Sequence, residues 1–294
     1  MRRPLLIVGA ALLAGALLCR YVVADRLLPR IPPGWRSASS YVGTMTYPDS
    51  VTGVLPERDV LSVYDRAMTV VSDAGRPDSI TVEDLYTIHD AFSGSVIWEY
   101  KTRAVVDPAT GARLEPEYRG DYVVFPRNVQ KGEYRLRTSY VNGIPLRYES
   151  TEKLDGLETY VFGYTGRGEY TESYAGSAEF AGIKVPRGQE IRCADDQFSY
   201  RVWVEPVTGA IVKLAEACPS GDYVFDSSSG KRLQAIGRWG GVTSGDALAR
   251  QLAEVRRQRV TRLWAGTYGP LSLGGAALIV LAFGIRPRRR REFA

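Results

Sequence analysis

The stretch VWVEPVTGAIV, residues 202–212, sets two runs of β-branched and aromatic residues on either side of Glu205-Pro206-Val207-Thr208-Gly209. Each residue at the centre has a backbone reason to be there. Proline presets φ at the second position of a turn, and glycine takes the left-handed conformation that ends it. Acids and threonine hydrogen-bond to nearby backbone amides. Valine, isoleucine and tryptophan on the flanks suit a pleated, half-buried surface. The stretch predicts an antiparallel hairpin.

The pattern recurs. Asp107, Pro108, Thr110 and Gly111 keep the same spacing between Val105-Val106 and Ala112-Arg113-Leu114. A looser copy runs Asp226-Ser227-Ser228-Ser229-Gly230, ahead of Lys231-Arg232-Leu233. Such a repeat is either a structural turn used again or a loop that grips a ligand. The distance between the first two copies suggests a duplicated β unit, with halves at 36–165 and 166–243. Further strand-like runs occur at 94–106, 136–148, 159–164, 198–204 and 210–214. Residues 28–243 therefore predict a mainly β (α+β) domain of antiparallel strands, entered through the stiff neck LPRIPPGW at 28–35. Cys193 and Cys218 lie far enough apart to close a loop, and in oxidising surroundings they predict a disulfide. Two buried thiols are the alternative. The 18 tyrosines suit half-buried strands with one wet face, and an amphipathic pocket for lipid or glycan would use the same residues.

Working outward, both ends turn apolar. Met1-Arg2-Arg3 precedes the uncharged run PLLIVGAALLAGALLC. Arg20 can snorkel, so 1–27 predicts a transmembrane signal anchor, with a cleaved signal peptide as the alternative. Leu263–Ile285 carries no charge. As a helix it reaches about 34 Å, enough to cross a hydrocarbon core of about 30 Å. Trp264 and Tyr268 suit the interface. Gly274 and Gly275, followed by Ala276 and Ala277, form a small-residue patch for packing against another span, or simply part of a plain anchor. Residues 244–262 predict a juxtamembrane helix capped by Ser244. The tail at 286–294 carries Arg286, Arg288, Arg289, Arg290 and Arg291, a cluster that favours the cytoplasmic side. The chain is thus expected in the cell membrane with two spans, membrane lipids around them, and its main domain extracytoplasmic.

The formal charge is +5. Residues 1–30 and 286–294 hold ten basic and two acidic residues, leaving 28 basic and 31 acidic for the rest. No nucleic-acid partner is expected of a domain with that balance. His89 is the single histidine; it has no G-x-S-x-G context to suggest a serine triad, and no Cys/His spacing suits zinc. No phosphate-binding or dinucleotide glycine motif is present. The pairs Asp195-Asp196 and Glu152/Asp155 read as turn acids. No catalytic residue, metal ligand or cofactor is predicted. Glu99, Lys101 and Arg103 share one face of the 94–106 run, which a lipid-facing barrel strand would not tolerate. Membrane contact is expected through the helices.

One further pattern spans 122–164. Phe125, Pro126, Lys131 and Tyr134 are followed by Gly156, Leu157, Tyr160 and Phe162, and then by the turn at Glu205–Gly209. With the two flanking spans and the basic tail, this resembles the actinobacterial DUF3068 family, labelled "porin PorA family". The resemblance offers no catalytic residues, and it implies a porin, channel or transporter subunit. The residues themselves favour a non-enzymatic envelope protein. Its exterior domain would bind or shuttle an envelope lipid or glycan, or scaffold a homo-oligomer or larger complex.

Overall fold

A computed structural model describes residues 3–22, 30–47, 59–73, 78–137, 143–167, 188–193 and 197–285. The chain divides into two compact units, one formed by 1–29 with 256–294 and the other by 30–255.

The second unit is mostly β. Among its described residues twelve strands make one sheet: β1 (Arg36–Met45), β2 (Val60–Asp73), β3 (Ile80–Asp90), β4 (Val96–Val106), β5 (Asp121–Tyr122), β6 (Glu133–Leu136), β7 (Ile144–Leu154), β8 (Leu157–Gly166), β9 (Gln189–Cys193), β10 (Phe198–Glu205), β11 (Ala210–Asp226) and β12 (Arg232–Thr243). The strand order is β4-β3-β2-β1-β12-β11-β10-β8-β7-β6-β5, with β9 added beside β11. Neighbours are antiparallel except β5 and β6. The segments 36–165 and 166–243 both contribute to this single sheet, joined where β1 pairs with β12 and where β8 pairs with β10.

The sheet rolls far enough for its two outer strands to be bridged. Val106 at the end of β4 pairs with Arg113, and Ala112 pairs with Tyr122 of β5. The Arg113 N–H donates to Asp121 O at 2.9 Å, and the Leu114 N–H donates to Val105 O at 2.9 Å. Alternation then decides which side chains face inward. Trp98, Ile88, Tyr64 and Tyr41 stand opposite one another across β4, β3, β2 and β1. Together with Phe125, Phe162, Phe198, Tyr200, Leu214 and Trp239 they belong to one buried cluster. Aromatic area of this kind dominates core energetics.

The outer face is charged. Glu83 pairs with Lys101 at 2.9 Å and with Arg103 at 3.0 Å, Arg147 pairs with Glu133 at 2.9 Å, and Arg201 pairs with Glu149 at 2.8 Å. One stretch of it is covered by a helix, α2 (Gly245–Leu263). Ser244 caps this helix, its hydroxyl accepting the Ala247 N–H at 3.3 Å. Leu252 and Val255 then pack on Leu157 and Val212.

In the first unit, α1 (Arg3–Leu18) and α3 (Gly269–Ile285) lie against each other. A Cβ at Gly9 would sit 2.6 Å from Leu281 Cγ, and one at Gly284 would sit 3.0 Å from Leu6 Cδ2. These glycines are what let the helices approach. Gly274 and Gly275 have open space around them. Two helical stretches are long and apolar enough to cross a membrane, Arg3–Val22 and Gly245–Ile285. Their large side chains are exposed, as lipid contact requires: Ile7 is 69% exposed and Leu271 68%.

Candidate functional site

The repeated turns share one design. At the first copy, Asp107 Oδ1 accepts the Ala109 N–H at 2.8 Å and Oδ2 accepts the Thr110 hydroxyl at 2.6 Å. The Gly111 N–H donates back to Asp107 O at 2.8 Å. At the second, Glu205 Oε2 accepts the Thr208 N–H at 2.8 Å and its hydroxyl at 2.7 Å, while the Gly209 N–H donates to Glu205 O at 2.9 Å. The third copy does the same with Asp226, Ser229 and Gly230. A fourth copy, Asp90-Ala91-Phe92-Ser93-Gly94, joins β3 to β4, with Asp90 Oδ1 accepting the Phe92 and Ser93 amides. It lacks the proline that drew attention to the first two, although the acid, serine and glycine stand at the same spacing.

Two of these turns grip the same partner. A Cβ at Gly209 would collide with the Pro126 carbonyl oxygen, and one at Gly111 would lie 2.9 Å from Val124 O. The Val129 N–H donates to Pro206 O at 2.8 Å, and the Val123 N–H donates to Gly111 O at 3.0 Å. Residues 123–129 are therefore held between Pro108-Gly111 and Pro206-Gly209. The neck is fastened to the same place. Arg30 donates from Nε to Phe125 O at 3.0 Å and from Nη2 to Gly209 O at 3.1 Å, while the Ile31 N–H donates to Pro108 O at 2.9 Å. Burial, then the Arg127 cation, brings the Arg30 guanidinium down to about 10, so it stays charged at neutral pH. Sequence reading placed no role on Arg30, because its partners are 95 and 179 positions away.

Around the clasp, the two short motifs from 122–164 meet. The rings of Phe125, Tyr134 and Phe162 lie 5.2 to 5.5 Å apart, and Tyr148 packs on both Tyr160 and Phe162. Lys131 Nζ stands 5.2 Å from the ring centres of both Tyr148 and Tyr160. Tyr134 Oη accepts the Gln130 N–H at 2.9 Å, which fixes the loop carrying Lys131.

The rolled interior holds a polar group of its own. Arg66 and Asp84 form a buried two-pronged pair, with N–O distances of 2.8 to 3.2 Å. Burial alone would lower the guanidinium, but the Asp84 carboxylate outweighs it and holds Arg66 well above its ordinary value. Tyr86 of β3 donates to Glu216 of β11 at 2.5 Å, across the inside of the roll. Burial and that carboxylate hold the Tyr86 phenol far up, and burial brings Tyr41 up to about 12. A groove of about 540 Å³ reaches Glu216, Tyr200 and Tyr164, with Gly43, Gly163 and Gly240 among its lining.

The other expected residues fall as follows. His89 Nε2 lies 3.6 Å from Asp65, partly exposed at a strand end. Glu152 accepts the Trp203 indole N–H at 2.7 Å. Cys218 is fully buried in the main cluster, and the register sets Cys193 opposite Asp222. The Cys193 side chain, Asp195, Asp196, and the arginines at 286 and 288–291 lie outside the described residues. Among the described residues no three of His, Cys, Asp and Glu gather as a metal set would.

One protein-family profile, described as Porin PorA, matches residues 4–286. No curated protein matches the sequence.

Proposed function

The chain belongs to the Porin PorA family, and on that premise we propose that it is a non-enzymatic envelope protein anchored by two helices. Its β domain lies outside the cytoplasmic membrane and binds an envelope component. One observation carries this reading: the sheet is apolar and aromatic inside, and charged outside. A porin barrel has the opposite arrangement, with lipid on its outer face and water within. The domain is built to stand in water around a packed core. The groove beside Glu216 and Tyr200 is where a ligand's apolar part would enter. Mass spectrometry of the full chain purified in mild detergent should find a bound lipid or glycan in constant ratio. Recovery of bare protein under all mild conditions would count against a carrier role.

A second reading assigns a pore or transporter role to the helical unit. The family description favours it. Full-chain protein in planar bilayers should give no unitary conductance under the first reading, and discrete, reproducible steps under the second.

A further inference from the structure

We propose that Lys131 and Tyr148, with Thr151 orienting the phenol, form a binding site for a phosphoryl group on the surface of the β domain. The starting point is Lys131. Its ammonium is exposed and lies over two tyrosine rings at equal distance. Among the described residues no carboxylate lies within ion-pair distance of it. Most lysine side chains are mobile, and binding a ligand costs them rotamer freedom. Here the two rings flank the ammonium and favour this position before any ligand arrives.

Tyr148 supplies the second donor. Its Oη lies 2.7 Å from Thr151 Oγ1. When the threonine donates, the phenol's own O–H is left to point outward beside the ammonium. The Thr151 hydrogen bond, opposed by burial and by the Glu158 carboxylate and reinforced by Lys131, holds the Tyr148 phenol below its ordinary value. A more acidic phenol is a stronger donor to an oxyanion. The spot thus offers a fixed positive charge and an adjacent O–H, which matches the charge and the several acceptor oxygens of a phosphoryl group. The supporting loop is fixed at both ends: the Gln130 N–H donates to Tyr134 Oη, and the Tyr148 N–H donates to Gly132 O at 2.9 Å. The site stands on this geometry and is separate from the groove proposed for an apolar ligand. Loss of one leaves the other intact.

The phosphoryl group can come from a lipid headgroup or from a soluble phosphate ester, and the test separates them. The full chain, in a phosphate-free maltoside detergent, is titrated with inorganic phosphate and with dihexanoyl phosphatidic acid, read by phosphorus NMR line broadening. Saturable binding of either probe is expected, and the tighter probe identifies the source. Lys131→Met keeps the stem over the rings and removes the charge. It should weaken binding about tenfold or more, with the melting temperature unchanged. Tyr148→Phe should weaken it severalfold, and Lys131→Arg should retain most of it. Equal binding by the wild type and Lys131→Met, or no saturable binding of either probe, overturns the proposal.

Discussion

Gly209 illustrates how a single position can set the fit of three segments. Its φ of +72° is left-handed, and a Cβ there would strike the Pro126 carbonyl. Gly209→Val therefore meets backbone strain on the order of 1–3 kcal/mol, and a clash with backbone as well. Calorimetry should show the β domain melting several degrees lower. Thr208→Ser keeps the hydroxyl that donates to Glu205, and should melt as the wild type does. The opposite result, normal melting for the valine variant with lost ligand binding for the serine variant, would make this a ligand loop. The third turn adds a pH dependence. The Ser228 hydroxyl, then the Ser229 amide and hydroxyl, hold Asp226 down to about 2. An unfolded aspartate titrates near 3.9. A lowered folded value means the stabilisation is complete above about pH 4 and fades as pH falls toward 2. Asp226→Asn should flatten that part of the acid-unfolding curve. An unchanged curve would mean the carboxylate does not hold the turn.

At the scale of elements, α2 tests how the outer face is covered. Leu252 is buried on Leu157 and Val212, so Leu252→Ala should cost about 2–5 kcal/mol in chemical denaturation. A change within error would mean the helix is not docked there. The bridge expected between Cys193 and Cys218 is testable through β9, which pairs with β11 in the register Cys193 to Asp222. Both cysteines should resist alkylation until reductant is added, and free labelling of both would remove the bridge. What could be read from the sequence follows from composition. β10 and the first half of β11 are rich in branched and aromatic residues, and Ser244 with Asp246 marks the start of α2. β1 and β12 are not legible, because RSASSYVGTM and RLQAIGRWGGVT are too small and polar to alternate. β3 hides its period, since Asp84 faces inward to meet Arg66. β11 runs through Pro219-Ser220-Gly221, which reads as a turn, by shifting register between Cys218 and Asp222. The turns could be read as turns because their chemistry is local. That two of them clasp Arg30 and 123–129 could not, since those contacts join residues far apart in the chain.

At the scale of the whole molecule, the β domain and the basic tail are expected on opposite sides of the membrane. Two stretches are long and apolar enough to cross. A chain with a span at each end returns both termini to one side. Arginine clusters favour the cytoplasm, and five arginines follow Ile285. Long connecting domains cross largely regardless of their charge. The residues between the spans would then be exported, where a Cys193–Cys218 bridge could form. Gly230 is a suitable probe position. It ends an exposed turn with φ +67°, and neighbouring Ser229 and Lys231 are exposed. Insertions at such tips are tolerated best. A phosphatase reporter active only after export should work when inserted at Gly230 and stay silent when fused after Ala294. A reporter that fluoresces only in the cytoplasm should give the reverse. If the phosphatase works at Ala294 and fails at Gly230, the β domain faces the cytoplasm. Its charged outer face would still be explained by water, but an envelope ligand would be out of reach.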